Sequence, residues 1–109
     1  MNELDTIKLY RGATSDVEFD FTGFNFVGNN KCVFTMKPLY NDEIIKQFEF
    51  TEPKVYNEVF TDEFTATLED SEYRYDIMYM VGEERYPQCL PSKIEVSEVV
   101  NEYTENQSE

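Results

Sequence analysis

The chain has no histidine and no tryptophan in 109 residues, and it has only two cysteines. Without histidine, Ser-His-Asp and Cys-His catalysis are excluded, and so is a common zinc ligand. No glycine-rich segment follows a strand and opens a helix, so no phosphate-binding loop is expected. The sequence therefore predicts no catalytic residue, no metal and no cofactor.

Basic residues are also scarce, with nine Lys and Arg against 23 Asp and Glu, which gives a formal net charge of −14. This charge repels phosphate backbones and anionic membranes, so we expect neither nucleic acid nor membrane as a partner, and a basic partner would fit better. Acidic clusters at 41–43, 62–63 and 69–72 have no calcium-loop spacing. We interpret them as solvated turns and as strand-edge charges that discourage edge pairing.

Long hydrophobic runs are absent as well, since no stretch approaches the roughly 18 apolar residues that span a bilayer. Residues 1–6 show no basic region followed by an apolar one, so no secretory signal is visible. We expect synthesis in a reducing cytoplasm, where Cys32 and Cys89 would be free thiols. The alternative is a Cys32–Cys89 disulfide between two sheets, a hallmark of immunoglobulin domains.

The clearest positive pattern is the alternation from Tyr73 to Val81, which predicts a long central strand. The residues on one face are Tyr73, Tyr75, Ile77, Tyr79 and Val81. The residues on the other face are Arg74, Asp76, Met78 and Met80. Met78 and Met80 suggest that this second face is covered, either by another subunit or by a loop or edge segment of the same chain. A bulge that shifts the register is a further alternative.

Shorter alternating segments predict the remaining strands. The predicted strands are 6–10, 16–22, 31–37, 43–50, 63–69, 85–90 and 93–96, with an extension of the last strand to 100 as an alternative and with 55–60 as a weak strand or loop. Segments 31–37 and 43–50 should form a hairpin, as should 73–81 and 85–90. In 43–50, Ile44, Phe48 and Phe50 share a face, and in 63–69, Phe64, Ala66 and Leu68 point inward. This pattern indicates a β-sandwich or small barrel, with residues 1–100 as one domain and 101–109 as an acidic tail that frays.

The order of several short motifs carries a resemblance to a known family. These motifs are Ile7–Gly12, Val17–Phe21, Phe64–Leu68, the Tyr73–Ile77 strand after an acidic turn, Tyr86 and Ile94–Val99. In this order they resemble the immunoglobulin-like β-sandwich of phage baseplate upper proteins and of related small phage head- or tail-associated structural proteins. The shared features are an opening strand that ends in Arg-Gly, a late Tyr-x-Tyr-Asp strand and a closing strand that runs into an acidic-Val pair.

The resemblance implies an all-β fold, an Ig-like antiparallel β-sandwich of about seven to nine strands in a single domain. It also implies a virion structural protein without an active site, made in the bacterial host cytoplasm. Such a protein docks onto neighbouring capsid, neck or tail/baseplate subunits, with a homo-oligomer or ring among the possible assemblies. Met78 and Met80 are then the candidate partner interface.

Two other functions stay open at this point. One is a surface decoration or carbohydrate-binding module, in which Tyr10, Tyr40, Tyr56 or Tyr86 stacks on sugars. The other is an acidic inhibitor that mimics DNA, which requires carboxylates concentrated on one surface, whereas the sequence spreads them over nearly every turn and outward face.

Overall fold

The computed structural model of the chain describes residues 6–88 and 91–98. This part contains eight strands and one short helix, so the all-β prediction is confirmed. The strands are β1 (Ile7–Tyr10), β2 (Ser15–Asp20), β3 (Lys31–Pro38), β4 (Lys46–Phe50), β5 (Val55–Phe60), β6 (Glu72–Val81), β7 (Glu84–Pro87) and β8 (Ser92–Ser97). The helix, α1, spans Asp62–Ala66 between β5 and β6.

Six of the strands form one large sheet around β6, in the order β1-β8-β6-β3-β4, with β7 also paired to β6. One edge of β6 pairs antiparallel with β3, and the other edge is shared by β7 and β8. Met78 pairs with Pro87, whereas Tyr75 pairs with Ser92. β7 and β8 therefore pair with different parts of this edge of β6. Both predicted hairpins, β3–β4 and β6–β7, are confirmed.

β1 and β8 are neighbours in this sheet and run parallel, with Ile7 opposite Ile94 and Leu9 opposite Val96. The expectation of an antiparallel sandwich is therefore wrong for this pair, and the sheet is mixed. The reason is that β1 makes no hairpin with β2. The chain turns at Gly12, whose φ of 81° is in the left-handed region that glycine tolerates, and β2 then pairs with β5 in a second sheet.

The second sheet contains only β2 and β5, paired antiparallel. Phenylalanine rings pack it against the large sheet in what we call the aromatic seam, formed by Phe19, Phe21, Phe34, Phe48, Phe50 and Phe60. The ring centroid of Phe19 lies 5.3 Å from that of Phe34 and 5.2 Å from that of Phe50. A two-stranded sheet is marginally stable by itself, so this packing holds the second layer in place.

Most predicted inward positions are buried, including Leu9, Cys32, Phe34 and Met36. Tyr73, Tyr75 and Ile77 are also buried, as the alternation in β6 predicts. The exception in the second hairpin strand is Ile44, which was expected beside Phe48 and Phe50. It is 54% exposed because β4 begins only at Lys46.

Residues 63–69 were predicted as a strand, and this prediction is wrong because the chain forms α1 there. Thr61 caps the helix, since its side chain accepts a hydrogen bond from the Phe64 N–H at 3.2 Å. The alternation of Phe64, Ala66 and Leu68 imitates a strand over a segment too short to show a helical period. As a consequence Thr65 is buried and Ala66 is exposed, the reverse of the strand expectation.

The buried Thr65 belongs to a hydrogen-bonded network at one end of the molecule. Its hydroxyl accepts from the Gly12 N–H at 3.0 Å and donates to the Ala13 carbonyl at 2.8 Å. Arg11 donates from Nε to the Leu68 carbonyl at 2.6 Å, from Nη2 to the Asp70 carbonyl at 3.3 Å, and pairs with Glu98. We call this network the Arg11 corner. It ties the end of β1 to the segment between β5 and β6.

Some predictions fall on residues outside the described part of the chain. These are the position of Cys89, the end of the 85–90 strand at Leu90, the extension of the last strand to Val100, and the acidic tail at 101–109.

Removing the Thr65 hydroxyl should destabilise the protein. Thr65→Val keeps the side-chain shape but leaves the Gly12 N–H and the Ala13 carbonyl without these hydrogen bonds. We expect a loss of about 1–3 kcal/mol in the free energy of unfolding, measured by urea denaturation. The control is Thr67→Val, since the exposed Thr67 hydroxyl bonds only within the helix end, to the Phe64 carbonyl. Equal losses in the two variants would contradict the role of the Arg11 corner.

Truncating a ring at the centre of the aromatic seam should cost more. Phe34 is fully buried and its ring packs near those of Phe19, Phe48 and Tyr75. Phe34→Ala should lower the free energy of unfolding by about 3–5 kcal/mol, whereas Val27→Ala, at a 58% exposed position, should change it by less than about 0.5 kcal/mol. A small effect at Phe34 in the same urea titration would show that the seam does not carry the packing.

Candidate interaction surfaces

Met78 and Met80 lie on the face of β6 that points away from the second sheet, as the alternation predicts, and both are half-buried. Val33 and Pro87 are the cross-strand neighbours of Met78 on its two sides. Lys31 and Arg85 take the same positions around Met80. Directly paired residues share a face of the sheet, so the methionines are flanked within the sheet by these side chains.

The alternative of a bulge that shifts the register at Met78 and Met80 is contradicted by the strand pairing. β6 pairs with β3 in one unbroken register from Tyr73 to Met80. Met78 and Met80 therefore keep the outward side that the period of two assigns to them.

A groove of about 370 Å³ runs along this face, lined by both methionines together with Val33, Lys31, Glu49 and Arg85. We call this surface the Met78–Met80 face. Lys31 pairs with Glu49 at 3.0 Å across the groove. Within the described residues Arg85 has no ion-pair partner, so a guanidinium beside Met80 remains open to an external acceptor.

The outer face of the large sheet, as a whole, carries more basic than acidic side chains. Its basic residues, assigned from the strand pairing, are Lys8, Lys31, Lys37, Arg74, Arg85 and Lys93. Its acidic residues are Glu49, Glu72, Asp76 and Glu95. Six of the nine basic side chains of the chain therefore lie here. Among residues 6–88 and 91–98, only these four acidic side chains of the strands do, and Asp42 of the β3–β4 loop pairs with Lys37 and Arg74. Within the described part of the chain, most acidic side chains therefore lie on other surfaces.

One of these cations has a structural task. Arg74 donates from Nε to the Pro38 carbonyl at 2.8 Å and from Nη2 to the Asn41 carbonyl at 2.7 Å. Its Nη2 also pairs with Asp42 at 2.9 Å. Arg74 thus fixes the loop between β3 and β4 and contributes less to any external contact than Arg85 does.

The four tyrosines proposed for sugar stacking do not share a surface. Tyr10 points to the outer side of β1, opposite Ser97, whereas Tyr86 lies on the opposite side of the large sheet with Tyr79. Tyr40 is 72% exposed and its hydroxyl donates to Asp70 Oδ2 at 2.7 Å, which raises the pKa of Tyr40. Tyr56 is half-buried, its ring centroid 4.8 Å from that of Phe50. The four rings therefore do not form one common platform.

The described cysteine, Cys32, is not placed as a reactive thiol. Cys32 is a free thiol in the core, and burial raises its pKa to about 12 from an ordinary value of 9.0. At neutral pH it is a thiol and not the thiolate that acts as a nucleophile or metal ligand.

Among residues 6–88 and 91–98, no group of three or more Cys, Asp or Glu side chains is arranged to hold a metal ion. No helix in that part is long and apolar enough to cross a membrane.

Comparison with known proteins adds no relative. No family model matches this chain, and no curated protein matches it.

Burial of Cys32 predicts a slow thiol. In a Cys89→Ser variant, in which Cys32 is the sole cysteine, we expect iodoacetamide at about pH 8 to react at least about 100-fold more slowly in buffer than in urea. The raised pKa lowers the thiolate fraction and the core excludes the reagent. Mass spectrometry of timed samples measures the rate. A rate in buffer equal to that in urea would contradict the buried position.

Proposed function

We propose that the chain is a non-enzymatic structural protein of a tailed-phage or prophage virion, which docks onto neighbouring capsid, neck or tail/baseplate subunits. The observation that carries the proposal is the Arg11 corner. The Arg-Gly end of the opening strand is far in sequence from the Phe64–Leu68 segment and from the acidic turn that directly follows that segment. They are joined by the hydrogen bonds of Arg11 and Gly12 to Thr65, Leu68 and Asp70. Three motifs of the resemblance are thus joined by one hydrogen-bonded network.

Strand neighbours support the finer assignment to an Ig-like sandwich. In the immunoglobulin fold, strands B and E share one sheet and strands C, F and G the other, with C′ added beside C in variable-type domains. The pair β2–β5 matches B and E, and the order β8-β6-β3-β4 matches G, F, C and C′.

A hydrogen bond at the start of β6 supports the same assignment. Many Ig-like domains have a tyrosine near the start of strand F whose hydroxyl bonds to backbone a few residues upstream. Tyr73 is in that position, and its hydroxyl accepts from the Asp70 N–H at 3.1 Å. Because folds of this class host many functions, the virion role rests on the resemblance and on a docking surface, and not on the fold alone.

The docking surface that we propose is the Met78–Met80 face. Methionine adapts its shape to a partner, and Met and Arg are enriched in interfaces. Met78, Met80 and Arg85 lie together on this face, in the middle of a sheet surface whose charge is opposite in sign to that of the whole chain. This face suits a neutral or acidic neighbouring subunit, while the basic partner expected from the net charge suits the acidic remainder of the surface.

Particle composition tests the role. Virions are purified by density gradient from a culture whose phage or prophage genome encodes the chain, and the chain is quantified by mass spectrometry. We expect it to sediment with the particles at a fixed ratio to the major capsid protein. Recovery in the soluble fraction alone, or fully assembled and infectious virions after deletion of its gene, would contradict the proposal.

The same preparation tests the Met78–Met80 face. Met78→Gln with Met80→Gln keeps side-chain length but makes the face polar, and we expect incorporation to fall at least about tenfold, as for loss of an interface centre. The control is Val55→Gln with Val59→Gln, which changes two exposed strand residues on the other sheet and should leave incorporation unchanged. Circular dichroism checks that both variants fold. Equal incorporation of the two variants would remove this face from the interface.

A further inference from the structure

A second and larger groove opens where the two sheets separate beside β2, with a volume of about 880 Å³. Ile7, Tyr75 and Ile77 of the large sheet line it on one side. Val17 and Phe19 line it from β2. We call this space the β2 groove. Phe21 and Phe24 extend its apolar lining, and the remaining lining side chains are polar or charged and include Lys8. The groove lies on the inner side of the large sheet, opposite the Met78–Met80 face.

One wall of the β2 groove is the edge of a strand. Within residues 6–88 and 91–98, β2 pairs only with β5, so its second edge has no neighbouring strand. The backbone N–H and C=O groups along such an edge are a template for one more strand. An apolar space directly beside the edge gives the inward side chains of that strand a place to pack.

The side chains of β2 define what kind of strand fits. Asp16, Glu18 and Asp20 alternate on its exposed side, while Val17 and Phe19 point toward the large sheet. Opposite charges on adjacent strands stabilise pairing, and like charges directly opposite each other destabilise it. Pairing of β2 with β2 of a second copy would bring these carboxylates together. Their repulsion therefore disfavours pairing between two copies of this edge.

We propose that the β2 groove binds an extended segment of another protein, which adds a strand to the free edge of β2. The segment alternates apolar side chains, which enter the groove above Ile77, with Lys or Arg side chains, which lie beside Asp16, Glu18 and Asp20. Main-chain hydrogen bonds supply the affinity and the alternate side chains supply the specificity. This assignment does not depend on the virion role, because it concerns a different face and would hold for any host assembly.

Protection of the edge by its charges explains the carboxylates, but it does not explain the groove. A strand edge that only has to avoid pairing needs no apolar space next to it. A free edge, apolar side chains directly beside it and three acidic side chains along the strand together point to an added strand of the opposite charge.

A peptide titration tests the assignment. The probe is a blocked peptide, Lys-Val-Lys-Ile-Lys-Val, whose six residues match the six of β2. It is added to the isotope-labelled full chain and followed by amide chemical shifts. We expect the largest changes at β2, at Ile77 and at Gln88, which also lines the groove. A peptide of the same composition with its three lysines adjacent, and one with Glu in place of Lys, should bind at least about tenfold more weakly.

Backbone methylation separates strand addition from simple charge attraction. Two versions of the probe are N-methylated on alternate amides, one version on the first set and the other on the second. In an added strand only one set faces β2, so one version should lose at least about tenfold in affinity and the other should bind nearly as well as the probe. Equal binding of both versions would overturn the proposal, and so would absence of binding by the unmodified probe.

Charge reversal on the protein gives the matched test. Asp16→Lys with Glu18→Lys and Asp20→Lys should weaken binding of the Lys probe at least about tenfold and improve binding of the Glu peptide. Glu52→Lys with Glu69→Lys and Glu83→Lys changes the net charge equally at exposed sites away from the groove, and should change affinity less than about threefold. Equal effects would assign binding to net charge and overturn the proposal. Shifts at β2 that depend on protein concentration without peptide would assign the groove to a second copy and overturn it as well.

Discussion

The structure depends on the need to cover a two-stranded sheet. A pair of strands the length of β2 and β5 has too little buried surface to be stable by itself, so the second layer exists only because its phenylalanines pack onto the large sheet. Phe19, Phe21 and Phe60 come from this layer and are all buried. The large sheet, in turn, needs them, because without that layer the inner faces of β3 and β6 would be exposed to water. Each layer therefore stabilises the other by covering its apolar face.

Strands whose alternation is clear and whose one face is buried could be predicted from the sequence. β3 and β6 are of this kind, because a shift of one residue would exchange their buried and exposed faces. The failures have local causes. Residues 62–66 are too few to show a helical period, although Thr61 before two acidic residues is the start signal of a helix. Ile44 was expected to share a face with Phe48 and Phe50, but the strand begins only at Lys46.

The surfaces were less predictable than the core, for a physical reason. Alternation placed Met78 and Met80 on the outer side correctly, because that depends on β6 alone. The gathering of basic residues around them depends on which strands lie beside β6, and the parallel pairing of β1 with β8 has no sequence signal. The Arg11 corner was visible only as an Arg-Gly motif, and its partner Thr65 was expected to face solvent. The free edge of β2 likewise follows from the neighbours of that strand and not from its residues.

The pairing of β1 with β8 also has a consequence for biosynthesis. Chains grow from the N-terminus, at about 5–20 residues per second, so Ile7 leaves the ribosome several seconds before its partner Ile94. During this time β3, β4 and β6 can assemble, but β1 has no strand to pair with. β8, the last of the described strands to be synthesised, thus provides the pairing partner of β1, the first. This pairing can form only after nearly the whole domain has been translated. A pause in translation between β6 and β8 would lengthen the exposure of Leu9, which is fully buried once β1 is in place.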